Sequence, residues 1–78
     1  MAKQIFLFTF PEESIRDPII YNLGQQFNII TNILQAEIND EKGWARLELA
    51  GKDEDIEAGI TWVISKGVWV EPISDERL

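Results

Sequence analysis

The sequence predicts an α+β fold, with two helices on one face of a four-stranded antiparallel sheet in the order β-α-β-β-α-β. Three observations predict it. Four short runs rich in β-branched and aromatic residues are interleaved with two stretches whose apolar residues recur at helical spacing. The two middle runs are separated only by Asp40-Glu41-Lys42-Gly43, which leaves room for a hairpin and nothing longer. Each helical stretch carries a single apolar stripe, so both can lie on one sheet.

Strand 1 is read over residues 3–10, where Ile5-Phe6-Leu7-Phe8-Thr9-Phe10 is apolar on both faces and Pro11-Glu12-Glu13-Ser14 ends the run. Asp17-Pro18 then reads as an N-cap followed by proline at the first helical position, where its missing N–H costs nothing. Ile19, Ile20, Leu23 and Phe27 form the buried stripe of helix 1, with Gly24 a weak interior point. Residues 28–38 read as one long strand. Simple alternation puts Ile30, Leu34, Ala36 and Ile38 on one face and Ile29, Thr31, Ile33, Gln35 and Glu37 on the other. After the hairpin, strand 3 (44–50) alternates Ala45, Leu47 and Leu49 inward with Trp44, Arg46 and Glu48 outward.

Helix 2 begins near Asp53, where Asp53-Glu54-Asp55-Ile56-Glu57 sets negative charge at the positive end of the helix dipole. These consecutive acids fan around a helix axis, so they complement the dipole and do not converge on a metal. Ile56, Gly59, Ile60, Val63 and Ile64 form its stripe, and Gly67 is placed for a left-handed cap. Strand 4 is Val68-Trp69-Val70-Glu71, stopped by Pro72, with a frayed tail over residues 74–78. This order matches the ferredoxin-like plan with strands arranged 4-1-3-2. Strand 2, extended over residues 26–39, becomes a long and pairing-competent edge.

The 78 residues make one domain, with an ordered core over about residues 3–73. At this size a single core leaves only a few kcal/mol of net stability, which favours self-association. Without cysteine or histidine, the chain has no disulfides, thiolate nucleophiles, zinc or iron-sulfur ligation, or imidazole catalysis. No cofactor is expected. Fourteen Asp and Glu against seven Lys and Arg give a formal charge of -7, which repels phosphate and anionic lipid. Nucleic acid is therefore not expected as a partner. The apolar run Ile5 to Phe10 is too short to span a bilayer, and the single lysine before it makes no signal-peptide n-region, so a cytoplasmic protein without membrane insertion is expected.

Strand 1 is central, so one of its sets, Ile5 with Leu7 or Phe6, Phe8 and Phe10, must face away from the helices. We assign a partner-binding interface to Phe6, Phe8, Ile29, Trp44 and Trp69, which Ile33 can join to make a contiguous apolar patch. An aromatic ladder that merely stiffens the sheet is the plainer alternative. Exposed rings on strands 1 and 3 also suggest RNA stacking, but the charge opposes it and no basic RNP1-type run is present. Arg16 and Asn32 are formally available for acylphosphatase-like chemistry, yet no glycine-rich phosphate loop surrounds Arg16, and no catalytic residue is assigned. Asn32, set among β-branched residues, asks for a partner. A buried and unpaired amide would cost about 1 to 3 kcal/mol, so it is tied to nearby backbone or held ready for a ligand.

Asn32-Ile33-Leu34 is also the tripeptide that names the NIL family of small ACT-like domains, and the likeness covers most of the chain. Phe8-Thr9-Phe10, Pro18 with Ile19, Phe27, Ile38, Gly43, Leu47-Glu48-Leu49, Gly51, Ala58, Gly67-Val68 and Val70-Glu71 fall at matching places. Such domains occur at the C-terminus of methionine-importing ABC transporter ATPases and beside some ferredoxin domains. In the importers such domains pair in a dimer, bind methionine near the domain-domain interface and restrain transport. The resemblance implies a homodimer, a ligand site at Asn32, Ile33 and Leu34, an amino acid such as methionine as ligand, and a transporter or ferredoxin-type protein as partner.

The sequence departs from the pattern at two places. Ala36 stands where the family often has glycine two residues past the motif, and Trp44 follows Gly43 where smaller residues are common. No ATPase, transmembrane or cluster-binding segment accompanies the domain in these residues, so its action is expected on a separate chain. The expectation is therefore a free-standing, non-enzymatic regulatory module. A ligand-free interaction or dimerisation module is the alternative.

Overall fold

The computed structural model of the protein describes residues 1–73, and the expected frayed tail at 74–78 lies outside them. Strands β1 (Ala2–Phe10), β2 (Ile30–Ile38), β3 (Gly43–Gly51) and β4 (Trp69–Ile73) form one antiparallel sheet in the order β2-β3-β1-β4. Helices α1 (Ile19–Phe27) and α2 (Asp53–Ser65) complete the βαββαβ ferredoxin-like order. The two central strands and the two edges stand where the sequence placed them.

The core lies between sheet and helices. Phe6, Phe8 and Phe10 from β1 and Ala45, Leu47 and Leu49 from β3 meet Ile19 and Leu23 of α1 and Ile56 and Val63 of α2. Ile29 and Val68, each just before an edge strand, close its margins. Gly59 lets the helices approach: a Cβ there would lie 2.7 Å from Leu23 Cδ1 and 2.8 Å from Ile29 Cδ1. Ile64, expected in the α2 stripe, is exposed.

Several boundaries differ from the sequence expectation. Pro18 is not the first helical residue: its φ of -79° and ψ of 62° close an inverse γ-turn in which Ile19 N–H donates to the Asp17 carbonyl at 2.8 Å. That bond satisfies the Ile19 amide, and Asp17 makes no side-chain cap. A 3₁₀ turn, Glu12–Ser14, precedes it, and buried Ser14 donates its hydroxyl to the Lys66 carbonyl at 3.3 Å, tying this loop to the end of α2. Asn28 is not part of β2 but caps α1 in the left-handed region at φ 57°, a conformation asparagine tolerates better than most residues. β4 runs through Pro72, opposite Phe6, because an edge strand can leave the ring's missing donor on its outer side. Gly67, at φ 89°, takes the expected left-handed position after α2.

Candidate functional site

The face of the sheet away from the helices holds the residues that the fold leaves available for binding. Its composition follows from register. Trp44 lies opposite Glu37 on one side and Thr9 on the other, and Thr9 lies opposite Trp69, so Glu37, Trp44, Thr9 and Trp69 form one row across all four strands. The next row is Gln35, Arg46, Leu7 and Glu71, and the third is Asn32, Glu48, Ile5 and Ile73. Trp69 is 70% exposed, and Trp44, Leu7, Ile5 and Ile73 are half-buried.

This face corrects the interface assignment. Phe6, Phe8 and Ile29 are buried in the core, and their places outside are taken by Ile5, Leu7 and Ile30. The larger rings of β1 fill the space between sheet and helices, where area removed from water contributes most. The patch is also not contiguous, because Thr9 separates the two indoles and Arg46 and Glu71 flank Leu7.

β2 departs from simple alternation through a bulge between Ile33 and Gln35, at which Leu34 is the additional residue. Its effect is to reset parity. Ile30, Asn32, Gln35 and Glu37 share the open face, while Thr31, Ile33, Ala36 and Ile38 share the helix-side face. Asn32 is exposed, so the cost of burying an unpaired amide, from which its tie to backbone or its readiness for a ligand was argued, does not arise. Asn32, Ile33 and Leu34 therefore diverge, and they line neither of the hollows described next. Ile33 and Leu34 are 55% and 42% exposed.

The hollows lie elsewhere. One of about 330 Å³ opens at the hairpin end of the sheet between Thr9, Glu37, Asn39, Lys42, Gly43 and Trp44. Asn39 organises its rim, because Oδ1 accepts from the backbone N–H of Glu41 at 2.8 Å and of Lys42 at 3.0 Å, while its own N–H donates to the Lys42 carbonyl at 2.9 Å. A smaller cleft of about 170 Å³ lies under the start of α1, with Phe10, Ile15, Ile19 and Ile38 among its walls and Asp17 at its rim. Among the described residues no group of three or more acidic side chains is placed to hold a metal ion. No described helix is long and apolar enough to cross a membrane. The sequence reading singled out Trp44 but missed Thr9, Glu37 and Lys42, whose convergence depends on register and turn geometry.

A family model described as NIL domain matches residues 4–72. Among solved structures, the crystal structure of the C-terminal domain of an ABC transporter ATP-binding protein from Enterococcus faecalis is similar, with a TM-score of 0.82 and 26% sequence identity. The match covers 94% of this chain and 86% of that one. No curated protein matches the chain.

Proposed function

The chain belongs to the NIL domain family, and from that premise we propose that it is a regulatory module that binds a small amino acid, methionine foremost, and acts on a protein partner as a homodimer. The regulatory part of this reading is supported by family membership and by likeness to a transporter ATPase domain. A transporter is accordingly the first partner to test. The observation that carries the ligand part is the family tripeptide at the bulge of an edge strand. Asn32, Ile33 and Leu34 are all exposed there, although two of them are large and apolar. Such residues gain most from a second surface.

A second copy supplies that surface. β2 is nine residues long and carries Ile30, Ile33, Leu34 and Ile38 exposed by 63, 55, 42 and 51%. Two such edges meeting about a twofold axis bury these side chains and convert diverging tripeptides into the wall of a shared pocket. Its apolar residues receive a flexible side chain, and Asn32 supplies donors and acceptors for the polar end. Ligand then shifts the partner only through its different affinity for two dimer geometries.

Thermal melting with each proteinogenic amino acid tests it, with light scattering for mass. At a concentration 100 times Kd, one site adds about 2.7 kcal/mol to the folded state. In a domain of this size that raises the midpoint by about 10 °C or more. We expect the response to be selective for methionine, to occur in a dimer, and to disappear in Asn32→Ala. A flat response to every amino acid refutes ligand sensing. It would leave the ligand-free interaction module, whose affinity comes from strand addition to β2.

A further inference from the structure

The open face of the sheet carries charges in an order that matches a second copy of itself. Its middle row reads Arg46, Leu7, Glu71 across β3, β1 and β4, so opposite charges stand one strand to either side of the centre. A twofold axis running along β1, between two such faces, exchanges the two sides. It sets Arg46 of each copy against Glu71 of the other and Leu7 against Leu7. In the row toward the hairpin Trp44 meets Trp69, and in the remaining row Ile5 meets Ile5 while Glu48 falls beside Ile73 at the rim.

Other axes do not give this match. An axis across the strands at Leu7 stacks Arg46 on Arg46 and Glu71 on Glu71, which repel. One midway between β1 and β3 lays Arg46 on Leu7. Charge therefore selects a single geometry. The indoles gain most from it. Within one copy Thr9 separates Trp44 from Trp69, and Trp69 is 70% exposed, whereas across the axis each indole receives the other.

We propose that the open face is a second self-association surface, on which β3, β1 and β4 of two copies stack as aligned sheets about 10 Å apart. β2 has no strand opposite it, because the sheet of the second copy ends at β4. The family tripeptide and its edge stay outside the stack, so this contact is additional to the β2 pairing proposed above and does not depend on it. Where both form, the assembly is a tetramer. Strands ~4.8 Å apart and rows ~6.7 Å apart give the three-by-three overlap roughly 300 Å² per copy in projection. That is well under the ~800 Å² per partner of a standard interface, so the association is weak and forms at high protein concentration. The charge of -7 on each copy opposes it at long range, a repulsion that about 0.15 M salt screens within ~8 Å.

Sedimentation velocity in that salt, up to millimolar protein, tests the proposal. The step to follow is a doubling of mass, from monomer to dimer or, where β2 pairs, from dimer to tetramer. Arg46→Glu and Glu71→Arg each place like charges across the axis at two symmetric contacts and should each weaken the step about tenfold. Mixing the two variants restores opposite charges at both contacts and should restore the step. Net charge alone predicts otherwise: Glu71→Arg replaces one negative by one positive charge, taking -7 to -5, and would then associate better than wild type. Trp69→Ser should also weaken the step about tenfold. All three positions are exposed, so the variants keep the fold, which circular dichroism verifies. A Glu71→Arg protein that associates as well as wild type overturns the inference, as does a mixture no heavier than its components. A wild-type mass equal to that of Arg46→Glu at every concentration overturns it too. Asn32→Ala should leave this step unchanged, so a failure here and a failure of amino-acid sensing are read separately.

Discussion

Gly59→Ala separates intrinsic helix preference from packing. Gly59 lies inside α2, where alanine is favoured over glycine by about 1 kcal/mol. Preference alone therefore predicts a more stable protein. The structure predicts the reverse, because the new methyl would stand 2.7 Å from Leu23 Cδ1 and 2.8 Å from Ile29 Cδ1. Both neighbours are core residues, 0% and 4% exposed, with little free space to retreat into. Overpacking of this kind costs about 1 to 3 kcal/mol. Both contacted atoms are terminal methyls that can give way only into a filled core, so after the alanine preference is set against the overpacking we expect a net loss of up to about 2 kcal/mol. In a domain of this size the midpoint then falls by up to about 16 °C. Urea unfolding should show a lower midpoint with an unchanged slope. Ile29→Val removes the Cδ1 atom at one of the two contacts. By itself it should cost about 0.5 to 1.5 kcal/mol, yet in the Gly59→Ala background it should cost less or nothing. A rise in stability for Gly59→Ala, or strict additivity of the two substitutions, refutes the close-approach account.

Gly67→Ala should lower stability by about 1 kcal/mol in the same assay. The cost there is purely conformational, since φ is 89° and a Cβ would meet nothing within 4 Å, so Gly67→Asn should recover part of it. Ser14→Ala should cost about 0.5 to 1.5 kcal/mol through the lost bond to the Lys66 carbonyl, and hydrogen exchange should quicken at the end of α2 and in the loop after β1.

The fold was legible because most local signals agree with the global one. β3 alternates without interruption, and Ala45, Leu47 and Leu49 are all fully buried. The stripes of α1 and α2 and the left-handed glycine after α2 were likewise visible as periodicity and composition. Two kinds of information were not. β1 is apolar on both faces, so pattern cannot choose its buried set, and ring volume against two helices decides for Phe6, Phe8 and Phe10. β2 contains a bulge, and one additional residue moves everything beyond it to the other face. Nothing in Asn32-Ile33-Leu34-Gln35 announces that residue. The Trp44 hollow was hidden for a related reason, because Glu37 faces Trp44 only after the bulge has reset the parity of β2.

The bulge also bears on how β2 can meet another chain. It divides the strand into one arm, Ile30 to Ile33, paired with Leu47 to Ala50, and a second, Gln35 to Ile38, paired with Gly43 to Arg46. A partner strand cannot run straight along both, because the additional residue interrupts the ladder and increases the local twist. Continuous strand addition over all nine residues is therefore disfavoured, and pairing is limited to a single short arm. Side chains must then supply what backbone pairing does not, and the exposed isoleucines and Leu34 are the ones present. This weighs against an affinity built on the strand edge alone and in favour of contacts that converge at the bulge, where the family tripeptide lies.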